Sequence, residues 1–301
     1  MSEVPMGSRD DVLAGGGTGG TTSSPMAFPI PADELGTVSI VPNGSFEAGS
    51  YQTFVLTYVA GKFGIDDSGS MRVCFRFASD QTRPQFEDPK GPNYTTIEAS
   101  NNAVLTYHYD PKGNVRPWDR TLYIKVVRGF LREGDKITIT FGDRSGGSPG
   151  MRLQTFCEDS YEFHTLIDPI ATYCYQPMPV QPVIKIIPGK PDRYLAVAPT
   201  IRAIDESFLI KFKGEDKWGN PSDQCNIQLC PRASHPVQNL PDVVSLKPGE
   251  FFGVIEGLSV ANAADLHIDF LDDAGAVMCR TNPIRIEPAP LSRHFWGDLH
   301  G

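Results

Sequence analysis

The chain has 301 residues and a formal charge of -9, from 27 Lys plus Arg against 36 Asp plus Glu. Binding a phosphate backbone needs a basic footprint, so nucleic acid is not an expected partner. No apolar run approaches the ~20 residues that cross a bilayer, and no signal-peptide pattern of basic, apolar and small residues opens the chain. A cytoplasmic protein without membrane partners is therefore expected.

With 29 Gly and 26 Pro spread between short Val/Ile/Thr/Tyr/Phe-rich segments, the composition predicts an all-β fold. Residues 1–35 contain Gly15-Gly16-Gly17-Thr18-Gly19-Gly20 followed by Thr21-Thr22-Ser23-Ser24. So little apolar surface cannot offset the entropy of ordering, and this segment is predicted to be disordered. From residue 36 strand-like runs follow at 38–41, 52–59, 71–77, 103–109, 121–127 and 136–141. In the last of these Ile137, Ile139 and Phe141 alternate with Lys136, Thr138 and Thr140, the period-two pattern of a sheet with one wet face. Val73, Phe75 and Phe77 alternate in the same way with Arg72, Cys74 and Arg76. Further strands are expected at 158–167 and 171–175, completing a β-sandwich over 36–178.

The run Gln176-Pro177-Met178-Pro179-Val180-Gln181-Pro182 interrupts the pattern and predicts a domain boundary, because proline cannot supply ladder hydrogen bonds. A second unit is expected over 183–288, with strands at 183–187, 194–198, 208–213, 251–256, 265–270, 276–280 and 284–287. About seven short strands in roughly a hundred residues is the size of an immunoglobulin-like sandwich. Pro288-Ala289-Pro290 then precedes an aromatic, acidic and histidine-rich stretch, residues 292–301.

Several segments invite chemical readings. Gly146-Gly147-Ser148-Pro149-Gly150 has the form of a serine-hydrolase elbow, but the residue after the serine must lend its N–H to the oxyanion hole, and Pro149 has none. A glycine-rich surface loop is expected there, with Asp143, Arg144 and Ser145 as solvated turn residues. His267 and Asp269 share a strand face and could ligate a metal together, but the polar outward positions of a half-exposed strand explain them as well and are the preferred expectation. His108, His164 and His235 show no ligand spacing. Glu158, Asp159 and Glu162 are acidic neighbours from which no spacing rule selects a catalytic pair. The six cysteines form no Cys-x-x-Cys; Cys225 and Cys230 could bridge across a turn, but without a signal peptide buried free thiols are the preferred expectation for all six. In an extended strand Asp298 and His300 would point the same way, a possible start for a metal site.

The phrase Phe295-Trp296-Gly297-Asp298-Leu299-His300-Gly301 resembles the entry motif of domain-of-unknown-function family 3604, bacterial metal-dependent hydrolases related to the PHP (polymerase and histidinol phosphatase) phosphoesterases. Three upstream pieces resemble that family in the same order. They are residues 142–152 with Gln154-Thr155-Phe156, the tryptophan turn Asp216-Lys217-Trp218-Gly219-Asn220-Pro221, and Arg280-Thr281-Asn282-Pro283-Ile284. The resemblance implies that residues 292–301 open a truncated catalytic domain, the first strand of a distorted β/α barrel. It implies His300 as a first-motif metal ligand and Asp298 as its orienter or a ligand. The divalent ions, Zn, Mn or Fe, would activate water for attack on a phosphate ester in the full-length protein, and none is expected to bind tightly to this chain alone. Two functions follow as expectations. One is the accessory β region of a metal-dependent hydrolase, partnered by a C-terminal catalytic domain and catalytically incomplete by itself. The other is a non-catalytic tandem β-sandwich that binds a glycan, a peptide or a partner subunit.

Overall fold

The computed structural model describes residues 29–293. Strands and one short 3-10 turn, Ala32–Glu34, are its regular elements, so the chain is all-β. The expectations for residues 1–28 and for Phe295, Trp296, Asp298 and His300 lie outside the described residues. Residues 29–35, expected to be disordered, are anchored. Leu35 is buried, and the Gln176 side-chain amide accepts from Ile30 N and donates to Ile30 O, both at 3.0 Å. A backbone paired on both polar groups beside a buried leucine has enough contact to offset its ordering entropy.

Two sheets enclose the first core. A four-stranded sheet runs Gly36–Val41, Phe54–Ala60, Lys136–Phe141 and Thr95–Ala99 in spatial order. It faces a five-stranded sheet ordered Gln176–Pro177, His164–Asp168, Ser70–Phe75, Arg120–Arg128 and Val104–Asp110. Alternation decides what enters the core. Phe54, Leu56, Tyr58 and Ala60 are buried on one strand, and Ile137, Ile139 and Phe141 on its neighbour. Phe163 sits among Phe54, Phe75 and Phe141, with ring centroids 5.7 to 5.8 Å apart. Phe77 departs from the expected alternation. The strand ends at Phe75, and Phe77 is exposed beneath the Arg116 guanidinium, 4.8 Å from its ring.

The segment Val183–Ile187, expected to open the second unit, belongs to the first. It pairs with Glu158–Glu162 and lies parallel to Ser45–Glu47, and its Ile184 and Ile186 are buried in the first core. The proline run is therefore no boundary: Gln176–Pro177 pairs with His164–Asp168, and the chain crosses between units at residues 188–192. Residues 171–175 form no strand. The Asp168 carboxylate accepts from Thr172 N, Thr172 Oγ1 and Tyr173 N, and Ala171 and Tyr173 take the left-handed φ values 56° and 61°. A carboxylate that binds the following backbone offers a turn in place of a ladder.

The second core lies between Arg193–Val197, Phe208–Glu215 and Gly253–Leu258 on one side, and Val244–Leu246, Ile227–Ala233, Ile268–Leu271 and Val277–Arg280 on the other. Ile201–Ala203 crosses over to run parallel to Ile284–Glu287. With Ala264–Leu266 on the other side of Ile284–Glu287, a further three-stranded sheet forms, so the unit is a β-sandwich of ten strands in three sheets, more than the seven expected. Ile227–Ala233 is a strand that the sequence pattern conceals, because Pro231 lies inside it. Val244–Leu246 pairs only as far as Leu229, so at Pro231 that ladder has already ended and the missing N–H costs nothing there. Residues 265–270 break at His267 because Ser234 Oγ and Ser234 N bind its backbone, and the strand changes partner on either side.

Candidate binding cleft at the junction of the two units

The tryptophan turn does its work between the units. Asp216 sits at its base, and its Oδ1 accepts from Trp218 N and Asn220 N, both at 2.9 Å. Oδ2 accepts from Asn220 Nδ2 at 2.9 Å and from the linker amide Gly189 N at 3.0 Å. Burial pushes the Asp216 carboxyl up, but these donors outweigh it and hold the group below the usual carboxylate range. Gly219 supplies the left-handed φ of 94° that lets the turn close. The turn then reaches across to the first unit. Trp218 Nε1 donates to Ala48 O at 3.0 Å, Asn220 Nδ2 to Thr155 O at 2.9 Å, and Asn220 Oδ1 accepts from Cys157 N at 3.1 Å. Gly49 has φ 68°, and a Cβ there would come within 2.5 Å of the indole. Two of the segments that carry the resemblance, 154–156 and 216–221, thus meet each other as the fastening between sandwiches.

Beside this fastening lies a cleft of about 870 Å³ with walls from both units. Its floor is the outer face of the sheet containing Phe208–Glu215, where Leu195 pairs with Lys213, Val197 with Lys211, and Lys211 with Val254. Val197 is 59% exposed, and Phe251 and Phe252 flank it at 45% and 57%. Cys157, Glu158, Asp159 and Lys185 form the facing wall. Its volume and its mixture of apolar floor and charged rim are those of a binding site.

The charged groups around it are engaged in ion pairs and hydrogen bonds. The Lys185 ammonium lies 2.8 Å from Asp159, and Lys213 lies 2.8 Å from Glu215. Glu158 accepts from Arg76 Nη1 at 3.0 Å and from Gln154 Nε2 at 2.9 Å. Burial, followed by the charges of Asp216, Asp159 and Asp223, pushes the Cys157 thiol up to about 11. It is therefore a neutral thiol near pH 7 and a poor nucleophile.

The remaining sequence candidates have partners of their own. Ser148 is buried, donates to Gly91 O at 2.7 Å and accepts from Gly150 N at 3.1 Å, closing the glycine-rich loop. Asp143 accepts from Ser145 N and Thr96 Oγ1, both at 2.9 Å, while Arg144 donates to Tyr51 O at 2.8 Å. Asp269 is held by both arms of Arg280 at 2.6 and 3.0 Å, with His267 3.9 Å away. His164 Nδ1 lies 2.6 Å from Glu162, and its ring stacks on Trp118 at 4.9 Å. His235 is next to Ser234 at 3.4 Å, and His108 packs on Tyr123 at 5.1 Å. All six cysteines are unbridged, but only Cys74 and Cys225 are buried as expected, Cys225 Sγ donating to Ser222 O at 3.3 Å; Cys157 and Cys174 lie on loops and are exposed. Among the described residues no three His, Cys, Asp or Glu side chains converge as a metal-holding group. Among them, too, no helix is long and apolar enough to cross a membrane. The last resembling segment, 280–284, ties strands together: Thr281 Oγ1 accepts from Ile268 N at 3.0 Å, and Asn282 Oδ1 from Ala198 N at 2.9 Å.

The cleft itself has no signature in the sequence. Leu195, Val197 and Phe251 each read as ordinary strand residues, and only the apposition of two units makes their exposure a feature. No protein-family model matches the chain, and no curated protein matches it. Among solved structures, the adhesin InvE of Yersinia pseudotuberculosis is similar over 84% of this chain at 8% identity and a TM-score of 0.25. This chain spans 58% of that protein's length, and a likeness so distant determines neither fold nor function.

Proposed function

We propose that this chain is a non-catalytic β-sandwich scaffold whose junction cleft seats a partner domain, and that the partner is a metal-dependent hydrolase domain of the PHP type joined after residue 292. The observation that carries the scaffold reading is the apolar floor of the cleft, an exposed sheet face locked in place by the Trp218 turn. Contiguous exposed apolar surface rimmed by charge marks an interaction site. The route of the chain supports a partner in the same polypeptide. Arg293 Nη2 lies 2.5 Å from Glu206 Oε1, just before the strand Phe208–Glu215. Lys211 on the cleft floor is five residues further on, about 16 Å along the strand at ~3.3 Å per residue. The hydrolase assignment rests on the resemblance, under which His300 and Asp298 would join ligands contributed by that partner, and the ions would supply an activated water.

The test compares the 301-residue protein with a polypeptide extended through the downstream coding sequence. The shorter protein should not hydrolyse p-nitrophenyl phosphate with Mn²⁺ or Zn²⁺ above the rate of the metal alone, and the longer one should. Hydrogen exchange at 195–197 and 251–254 should slow in the longer protein. Hydrolysis by the shorter protein, or unchanged exchange at the cleft floor, would refute the reading. Without a downstream domain, stabilisation of the shorter protein by a glycan or peptide would instead assign the cleft to a free-standing binding module.

A further inference from the structure

The outer face of the five-stranded sheet carries a second pocket, away from the junction. Leu166, Arg72, Tyr123 and His108 form one cross-strand row over four strands. Period-two alternation places Arg72 on the wet face, but the 169–175 loop folds over it. Held by Asp168 and turned by left-handed Ala171 and Tyr173, the loop lays Tyr175 onto the arginine. The Tyr175 ring centroid is 3.8 Å from the guanidinium carbon, and its hydroxyl is 2.7 Å from Ser70 Oγ. Tyr123 contributes a second ring at 5.8 Å.

Arg72 is left with ring contacts alone. Its Nε is buried with no hydrogen-bond partner, and among the described residues no carboxylate pairs with it. Buried donors without acceptors are rare and unfavourable in native proteins, and each calls for an explanation. A pocket of about 200 Å³ opens at this point, with His108, Asp110, Tyr123, Tyr173 and Tyr175 around Arg72. At about 30 Å³ per water this is room for a small ligand group, not only for one water.

The chemistry of the lining selects the ligand. Arg72 lines this pocket, is only half-buried, and has no carboxylate partner among the described residues; a guanidinium matches a planar, two-oxygen acceptor better than a point charge. Burial pushes the Tyr175 phenol up to about 12, so it remains a neutral hydroxyl near pH 7. Tyr173 is 76% exposed at the mouth and offers a free ring face. Asp110, whose Oδ1 already accepts from Lys112 N at 2.8 Å, and His108 also line the pocket, where hydroxyl donors would find further acceptors. We propose that the Arg72 pocket binds a carboxylate borne on a hydroxylated ring, the chemistry of a uronic-acid sugar.

The experiment titrates the 301-residue protein with D-glucuronate, acetate, glucose and sulfate, by calorimetry and thermal shift. Glucuronate should bind and raise the melting temperature, and glucose and sulfate should not. Arg72→Lys should weaken glucuronate at least tenfold, and Arg72→Met should abolish its binding. Tyr173→Ala, on an exposed ring, should weaken glucuronate several-fold and leave acetate unchanged. Acetate binding as tightly as glucuronate would keep the carboxylate assignment and make the source a simple acid. Glucose binding equal to glucuronate, or no carboxylate giving an Arg72-dependent signal, would overturn the proposal. If Arg72→Met fails to fold, unchanged glucuronate affinity in both Arg72→Lys and Tyr173→Ala overturns it equally.

Discussion

The turn at 216–220 holds a buried carboxylate and the pocket at Arg72 a half-buried guanidinium whose Nε is covered, and they treat the charge in opposite ways. Asp216 accepts four hydrogen bonds, three from its own turn and one from the linker amide of Gly189. Arg72 has two rings against it and an Nε without any acceptor. A buried charge with every lone pair matched makes structure, because its desolvation is offset internally. A buried charge left unmatched weakens the fold and gains a partner only from outside. The contrast separates the charged residues that fasten this molecule from those that face a ligand.

The largest effect should come from the fastening itself. Trp218→Ala removes the hydrogen bond to Ala48 and the packing on Gly49, and should cost about 2 kcal/mol in urea unfolding, less than a fully buried tryptophan because the ring is 43% exposed. It should also separate the unfolding of the two units, as followed by near-ultraviolet circular dichroism. Gly49→Ala attacks the same contact from the other side, with a Cβ pressed on the indole and a left-handed backbone. A loss of about 1–2 kcal/mol is expected, and a neutral result would show that the turn can slide.

Asp216→Asn tests whether the matched charge, and not only the shape of the turn, holds the junction. The folded-state carboxyl lies below its ordinary value of 3.8, so its contribution is fully present above that value and is lost as pH falls through the lower folded value. Wild-type stability should therefore drop on acidification below about pH 4, and the Asp216→Asn variant should lose that part of the pH dependence while being about 1 kcal/mol weaker at pH 7. The same substitution removes one of the charges that raise Cys157. Alkylation of Cys157 by iodoacetamide, with its half-rise near pH 11 in the wild type, should shift to lower pH. The smallest effect is assigned to the unmatched charge: Arg72→Met should leave stability unchanged or raise it by up to about 1 kcal/mol. A loss of several kcal/mol would make Arg72 a structural residue and erase the contrast.

Much of the architecture is legible in the chain. The alternation in residues 136–141 specifies which side chains face inward, because a strand has a period of two and only one dry face. The strand spacing of the second unit points to a β-sandwich, but it undercounts the strands, because the proline-containing Ile227–Ala233 and the short Ile201–Ala203 and Val244–Leu246 escape the pattern. The turn at 216–220 is visible as a tight turn from Trp218-Gly219-Asn220-Pro221. Its partner is not, because Ala48 is 170 residues away from Trp218 and no local pattern encodes that contact.

Local periodicity is enough to establish that this protein is built of strands and, where polar and apolar residues alternate as in 136–141, which face is buried; in 71–77 it fails at Cys74, which is buried, and at Phe77, which is exposed. Which sheet each strand joins is settled by long-range packing, and three consequences follow. Val183–Ile187 is drawn back into the first unit, where Ile184 and Ile186 complete its core. Residues 171–175 become the roof of a pocket, because Asp168 offers their backbone a turn before any neighbouring strand can offer a ladder. The exposed positions 195, 197, 251 and 252 become a cleft because the first sandwich is fastened beside them. A two-residue repeat records the side of a strand, whereas the identity of what covers that side is a long-range contact and emerges only when the chain has closed on itself.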